Sequence, residues 1–187
     1  MSLVTVIFLS IEVIFIILVV LTILRTGVIR LESKVGVTRD GFPPGKKVPS
    51  WQLPDIAGQM QQTPTENHWQ LLLFTDHVLG GFLDVVTEMN NIALSAQDLE
   101  IVILSKRNKA LCEAMVRGLN LHVPVVSVSE DFYHRFHVRV MPFGFLLDPN
   151  GTVQWVGVIN TKAWLIYVWQ LAKKKASIDN SFEEVRK

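Results

Sequence analysis

The order of apolar and polar positions divides the chain into two unlike parts. Residues 3–24 form an apolar run of Leu, Ile, Val and Phe, broken only by Thr5, Ser10, Glu12 and Thr22. About 20 apolar residues in a helix are long enough to cross the roughly 30 Å hydrocarbon core of a bilayer. The run therefore predicts one transmembrane anchor helix over residues 1–25.

A cleaved signal peptide is the alternative for this segment. Such a peptide has a basic start, a shorter apolar core and a small-residue cleavage site. Met1 and Ser2 carry no basic side chain and the apolar run is too long, so we expect an uncleaved anchor. Glu12 lies inside the predicted span, where a carboxylate is costly. Either it is tolerated there or it contacts a polar group on a partner helix, which would favour membership in a membrane complex.

The second part alternates strand and helix patterns. A connector rich in Gly, Pro and charge covers residues 26–47 and leads into a domain over 48–176, with a polar tail at 177–187. Apolar runs and helical spacing predict strands at 69–74, 100–104, 123–128, 143–147 and 153–158, and helical segments at 80–96, 106–119, 131–137 and 161–175. Asp148 to Gly151 predicts a hairpin turn. This order predicts an α/β fold, a central mixed sheet flanked by helices on both faces.

Charge and cysteine content narrow the classes of function. The formal net charge of +1 gives no electrostatic case for nucleic-acid binding. Cys112 is the only cysteine, so the chain cannot form an internal disulfide, a CxxC pair or a cysteine-rich zinc site. Its place among apolar residues of a predicted helix indicates a core residue, and a reactive thiol is the alternative.

Three segments resemble a known family. Trp51-Gln52-Leu53-Pro54-Asp55-Ile56-Ala57-Gly58 resembles the entry motif of membrane-anchored thiol–disulfide proteins and peroxiredoxins, and residues 140–151 resemble their block around a cis-proline, here Pro142. Residues 24–32 are similar to the stretch that follows the anchor in the MauD type of methylamine-dehydrogenase maturation protein. The chain thus resembles the membrane-anchored thioredoxin-like (redoxin) family, and the resemblance implies a thioredoxin-like fold.

The chain departs from that family at the residues that carry its chemistry. The resemblance places the CxxC motif at Val78-Leu79-Gly80-Gly81, and no cysteine occurs from Met1 to Leu111. Thiol–disulfide exchange requires a thiolate at the start of this helix. We therefore expect that the oxidoreductase activity of the family does not carry over to this chain. We also expect that the chain is not an enzyme and binds no cofactor.

Other candidate residues have two interpretations each. The resemblance implies a peptide- or partner-binding surface at Met141 and Pro142, with His77 and Val78 beside it; alternatively, Pro142 only shapes a turn. Asp76 and His77 form either an acid–histidine pair or part of a helix N-cap. The histidines at positions 122, 134 and 137 are either a metal trio or solvated residues, and since no carboxylate or thiolate completes the set, we predict no metal site.

These observations leave three hypotheses for function. The first is a redox-inactive accessory or structural subunit of a membrane protein complex, and the second a non-catalytic chaperone for maturation of an exported oxidoreductase. The third is an enzyme that uses Cys112. Basic residues follow the anchor at positions 25, 30, 34 and 39, which favours a cytoplasmic domain. The family resemblance implies a periplasmic or extracytoplasmic domain instead, and we expect the latter.

Overall fold

The computed structural model describes residues 12, 15–18, 40–65, 67–76, 82–96 and 98–184. The chain separates into two units, residues 1–37 and 38–187. In the first unit, Glu12 and residues 15–18 are helical and exposed. Most of the predicted anchor and most of the connector thus lie outside the described residues. Within the described ranges, no helix is both long and apolar enough to cross a membrane.

The second unit contains seven strands and four helices among its described residues. The strands are β1 (Trp51–Pro54), β2 (Met60–Thr63), β3 (Trp69–Phe74), β4 (Leu99–Ser105), β5 (Val125–Ser127), β6 (Phe143–Leu147) and β7 (Val153–Val158). The helices are α1 (Phe82–Ser95), α2 (Lys109–Leu119), α3 (Glu130–Arg135) and α4 (Lys162–Glu184). The predicted order of elements is confirmed.

Five of the strands form one mixed sheet in the order β5-β4-β3-β6-β7. β4 runs parallel to both β3 and β5, whereas β6 runs antiparallel to β3 and β7. The predicted hairpin turn joins β6 to β7, where Gly151 has a φ of 75° and the Asp148 Oδ1 accepts from the Asn150 and Thr152 N–H groups at 2.9 Å. β1 and β2 form a separate antiparallel pair.

The core lies on both faces of this sheet. Its central strand, β3, is therefore buried along its whole length. Leu71 and Leu73 of β3 face a cluster to which α1, α2 and α4 contribute. Leu72 and Phe74 face a second cluster, built from α3, β1 and the inner side chains of β6. Alternating side chains of a single strand thus serve two cores, as expected for a sheet covered on both faces.

Two helix boundaries differ by three or more residues from the predicted ones, and one pair of strands was not predicted. α2 begins at Lys109 rather than residue 106 because the Asn108 side chain caps it, accepting from the Leu111 N–H at 3.0 Å. α4 continues to Glu184, past the predicted end at residue 175, because residues 162–184 contain no glycine or proline. The β1–β2 pair was not predicted, since the polar sequence of β2 has no apolar alternation that distinguishes a strand from a loop.

Candidate functional site

The site begins where β3 ends, at a buried carboxylate. Asp76 follows the strand by two positions and is only 5% exposed. Its Oδ1 accepts a hydrogen bond from the Lys106 backbone N–H at 3.0 Å and lies 3.0 Å from the Tyr133 hydroxyl. The Lys106 Nζ lies 3.5 Å from Oδ2. The carboxylate is therefore both hydrogen-bonded and charge-paired, as burial of such a group requires.

The topology explains why these residues meet. Asp76 follows β3 and Lys106 follows β4, and the parallel pairing of these strands brings their carboxyl ends to one edge of the sheet. α3 then places Tyr133 against the same edge. The Asp76–Lys106 pair was open to sequence reasoning, because each residue follows a predicted buried strand by two positions. Tyr133 gave no such signal, because only tertiary packing brings α3 to this edge.

Lys106 joins the buried carboxylate to the surface. Its Nζ lies 3.0 Å from the Glu130 Oε2 and 5.5 Å from the centroid of the Tyr133 ring. The hydrogen bond with Glu130 raises the pKa of Lys106 above its ordinary value, and the charge of Asp76 acts in the same direction. The ammonium group is thus kept charged by carboxylates on two sides.

Tyr133 is held as a neutral phenol. Its hydroxyl lies between the Asp76 carboxylate and the Leu104 carbonyl oxygen, at 3.0 and 2.8 Å. Burial raises the pKa of Tyr133, and the neighbouring charge of Asp76 raises it further. A phenol that keeps its proton and has acceptors on two sides is a structural donor here rather than a nucleophile.

The single thiol lies in the core and not at this edge. Cys112 is on α2 and is 1% exposed, and its Sγ donates weakly to the Arg107 carbonyl oxygen at 3.4 Å. Burial raises the pKa of the Cys112 thiol. The prediction that Cys112 is a core residue is confirmed. A buried thiol with a raised pKa lacks both the accessibility and the thiolate character of a reactive cysteine.

The Met141–Pro142 peptide bond is cis, so the residue identified from the family block does occupy a cis-proline position. The Phe74–Phe143 register between β3 and β6 places Pro142 beside the residues that follow β3. Val140 and Met141 are 41% and 37% exposed, whereas Phe143 is fully buried. The Pro142 carbonyl oxygen accepts from the Ile159 N–H at 3.2 Å. We call residues 140–142 the cis-proline surface.

The other predicted site residues are only partly accounted for. His77 and Val78 lie outside the described residues, together with the rest of the segment 77–81, so their place beside Pro142 stays a prediction. The predicted helix cap is likewise untested; the Asp76 carboxylate is engaged with Lys106 and Tyr133. Glu12 belongs to the first unit, and its contact with a partner helix stays a prediction.

The three histidines of the possible metal trio have different surroundings. His134 is in the last turn of α3, and the His137 ring contacts Phe42 edge-on with 5.1 Å between centroids. The His122 backbone N–H donates to the Asn90 Oδ1 at 2.9 Å. Within the described ranges, no group of three or more His, Cys, Asp or Glu side chains is arranged to hold a metal ion.

Known proteins resemble this chain in structure. No protein-family model and no curated protein matches it. A putative thiol:disulfide interchange protein DsbE from Chlorobium tepidum matches with a TM-score of 0.63 and 20% identity, over 72% of this chain and 98% of that one. The chain has a thioredoxin-like fold.

Two further structures support that assignment. A putative protein disulfide isomerase from Bacteroides thetaiotaomicron matches with a TM-score of 0.60 and 13% identity, over 69% of this chain and 87% of that one. The peroxidoxin BcpB from Mycobacterium tuberculosis matches with a TM-score of 0.57 and 15% identity, over 72% and 96% of the two chains. All three matches span most of the other protein, so the likeness concerns a whole domain. The predicted fold is therefore confirmed for the second unit.

Proposed function

We propose that this chain is a redox-inactive accessory subunit of a membrane protein complex, with its thioredoxin-like domain contacting a partner. The observation that carries the proposal is the location of the chain's single thiol. No cysteine precedes position 112, and Cys112 is 1% exposed in the core. Thiol–disulfide exchange proceeds by attack of an accessible thiolate, and this chain offers none at the edge where β3 ends.

The polar groups at that edge do not replace the thiol. Asp76, Lys106 and Tyr133 are engaged with one another and with Glu130. Covalent catalysis needs a nucleophile next to a base that takes its proton, and no hydroxyl or amine in this group is both exposed and unpaired. These residues fix α3 to the ends of β3 and β4, and this structural role supports recognition by a surface as the function of the domain.

The cis-proline surface is our candidate for that recognition. Val140 and Met141 expose apolar side chains directly before β6, a strand buried at all five positions. An exposed apolar patch at the start of a strand suits an extended segment of a partner protein, which would add main-chain hydrogen bonds to side-chain contacts. The chaperone alternative uses the same surface and differs only in the lifetime of the complex.

The membrane part of the proposal rests on the sequence. The apolar run at residues 3–24 supports a single-pass anchor, and Glu12 supports a polar contact with a partner helix within the bilayer. We propose that the domain faces the periplasm or cell exterior, in line with the likeness to MauD-type proteins. Protease treatment of intact cells tests the orientation: digestion of the domain supports it, and protection until lysis contradicts it.

Redox inactivity is tested with the purified full-length chain and its Cys112→Ser variant. We expect no insulin reduction by dithiothreitol above the uncatalysed rate for either protein, because the only thiol is buried. Turnover by the wild-type chain that disappears in Cys112→Ser would refute the proposal and revive the enzyme hypothesis.

The partner surface is tested with two matched substitutions, Met141→Asp and Met60→Asp. Both methionines are exposed, and Met60 lies on β2, in the separate β1–β2 pair. We expect Met141→Asp to reduce crosslinking and co-purification of the partner at least tenfold, which corresponds to about 1.4 kcal/mol, while Met60→Asp leaves both unchanged.

Other results of this experiment separate the hypotheses. Equal loss in both variants would contradict the assignment of the surface. A solubilised wild-type chain that purifies alone, monodisperse and without crosslinks would contradict the accessory role. Crosslinks confined to a newly synthesised partner, which fails to assemble when the chain is deleted, would favour the chaperone.

A further inference from the structure

The first described residues of the second unit lie beside the cis-proline surface. The Gly41 N–H donates to the His137 carbonyl oxygen at 2.9 Å, and the Arg139 Nε donates to the Asp40 Oδ1. Both contacts are with the loop that leads from α3 to Pro142. The chain therefore enters this unit at the end of the sheet that carries the cis-proline surface.

From this entry the chain crosses the domain to its opposite end, and we call residues 40–48 the strap. The last residue of the strap is Val48, whose N–H donates to the Gly151 carbonyl oxygen at 3.0 Å, in the turn between β6 and β7. This turn follows the end of β6, whereas Pro142 precedes its start. The strap thus begins beside the cis-proline surface and runs away from it.

The beginning of the strap is closely packed on the domain. Gly41 has a φ of 78°, and a Cβ at this position would lie 2.9 Å from each of three core side chains, those of Phe143, Phe145 and Val156. The next residue, Phe42, packs against the second core cluster. Only glycine fits at position 41, so the point of entry is a fixed part of the domain.

Chain length then limits the distance between the cis-proline surface and the bilayer. This step rests on the proposed function, which includes the anchor at residues 3–24. The 14 residues 26–39 can span at most about 50 Å. The path from Asp40 through Arg139 to Met141 adds only roughly 15 Å. Full extension has the least conformational entropy, which favours shorter distances.

Entry at the opposite end of the domain would have a different consequence. A domain of about 150 residues is roughly 40 Å across, so the cis-proline surface could then lie that much farther from the bilayer. With the observed entry, the connector alone sets the distance. We propose that the cis-proline surface binds a membrane-proximal segment of an integral membrane protein, next to one of its transmembrane helices.

The side chains at this surface suit such a segment on the extracytoplasmic side. Arg135 and Arg139 are exposed in the residues that precede it, so a segment rich in Lys or Arg would be repelled. Extracytoplasmic loops lack the excess of Lys and Arg found in cytoplasmic ones, and Trp and Tyr are enriched next to transmembrane helices. Aromatic rings also make favourable contacts with the sulfur of a methionine such as Met141.

Photo-crosslinking in native membranes tests where the bound segment lies. A benzophenone amino acid replaces Met141 in the full-length chain or, as the matched control, replaces Asn150, which is exposed in the turn at the opposite end of β6. We expect position 141 to label a membrane protein within roughly 20 residues of a transmembrane helix, the length of chain that covers the same reach. We expect position 150 not to label that segment.

Connector length gives an independent test with a predicted sign. A 20-residue Gly/Ser segment is inserted between Gly36 and Val37, and this variant competes in the same cells with an equal amount of the unmodified chain. Effective concentration falls with about the −3/2 power of tether length, so we expect the variant to capture about fourfold less partner at position 141. The same segment added after Lys187 is the control and should leave capture equal.

The outcomes separate this inference from the proposed function. A partner labelled only in segments remote from its transmembrane helices, or captured equally or better by the longer connector, would overturn the inference and leave the accessory role standing. Labelling of lipid instead of protein at position 141 would also overturn it. The absence of any adduct at position 141 would refute both the partner-binding role of the surface and this inference.

Discussion

The buried network around Asp76 predicts an unequal response to two substitutions. Asp76→Ala removes the oxygen that accepts from the Lys106 N–H and faces the Tyr133 hydroxyl. A hydrogen bond to a charged group contributes about 1.5–3 kcal/mol, and an unsatisfied buried donor costs about 1–3 kcal/mol. Relief from burying the carboxylate offsets part of the loss, and Tyr133 keeps the Leu104 carbonyl. We therefore expect the free energy of unfolding to fall by about 2–4 kcal/mol.

Asp76→Asn should be much milder, because an amide oxygen still accepts from both donors. The substitution removes only the attraction to the Lys106 ammonium, 3.5 Å away. The Lys106 side chain is 32% exposed, so solvent screens that attraction, and we expect a loss of about 0.5–1 kcal/mol. Glu130→Gln, which removes the exposed partner of Lys106, serves as a control that should change stability by less than about 0.5 kcal/mol.

Urea unfolding of the full-length chain, followed by the signal of the second unit, measures these differences. With a slope of about 2 kcal/mol per molar, Asp76→Ala should lower the midpoint by about 1–2 M without changing the slope. The reasoning is refuted if Asp76→Ala is as stable as wild type, or if Asp76→Asn and Asp76→Ala lose the same amount. Either result would mean that the hydrogen bonds to Lys106 and Tyr133 contribute little.

Two further predictions concern packing and the thiol. Gly144→Ala should destabilise the protein by about 1–3 kcal/mol, because its Cβ would lie 2.5 Å from the Ile159 Cδ1; Gly118→Ala, with open space on α2, should stabilise it by up to about 1 kcal/mol. Thermal unfolding of both variants checks the pair, and similar melting temperatures would contradict it. Cys112 should resist iodoacetamide until the protein is unfolded. Burial raises the pKa of the Cys112 thiol, so the free energy of unfolding should fall as the pH rises past the ordinary thiol pKa of about 8.5. Cys112→Ala should remove this fall. The same pH profile in the wild type and in Cys112→Ala would refute the prediction.

Much of the domain follows from patterns that lie close together along the chain. The strands 69–74, 143–147 and 153–158 have the predicted bounds because each is a continuous apolar segment between turn-forming residues. Cys112 was recognised as a core residue because its neighbours repeat at helical spacing. Local patterns failed where the deciding contact was a single side chain, as at Asn108, whose cap fixes the start of α2.

The absence of a thiol from the first 111 residues is a property of composition, and no arrangement of the backbone can alter it. Packing alone brought Tyr133 against Asp76, 57 positions away along the chain, and set Trp169 beside Trp69 at the wall of a cavity. Contacts between residues so distant depend on which faces of the helices cover the sheet. That choice minimises the exposed apolar surface of the whole domain, so no local segment of sequence encodes it.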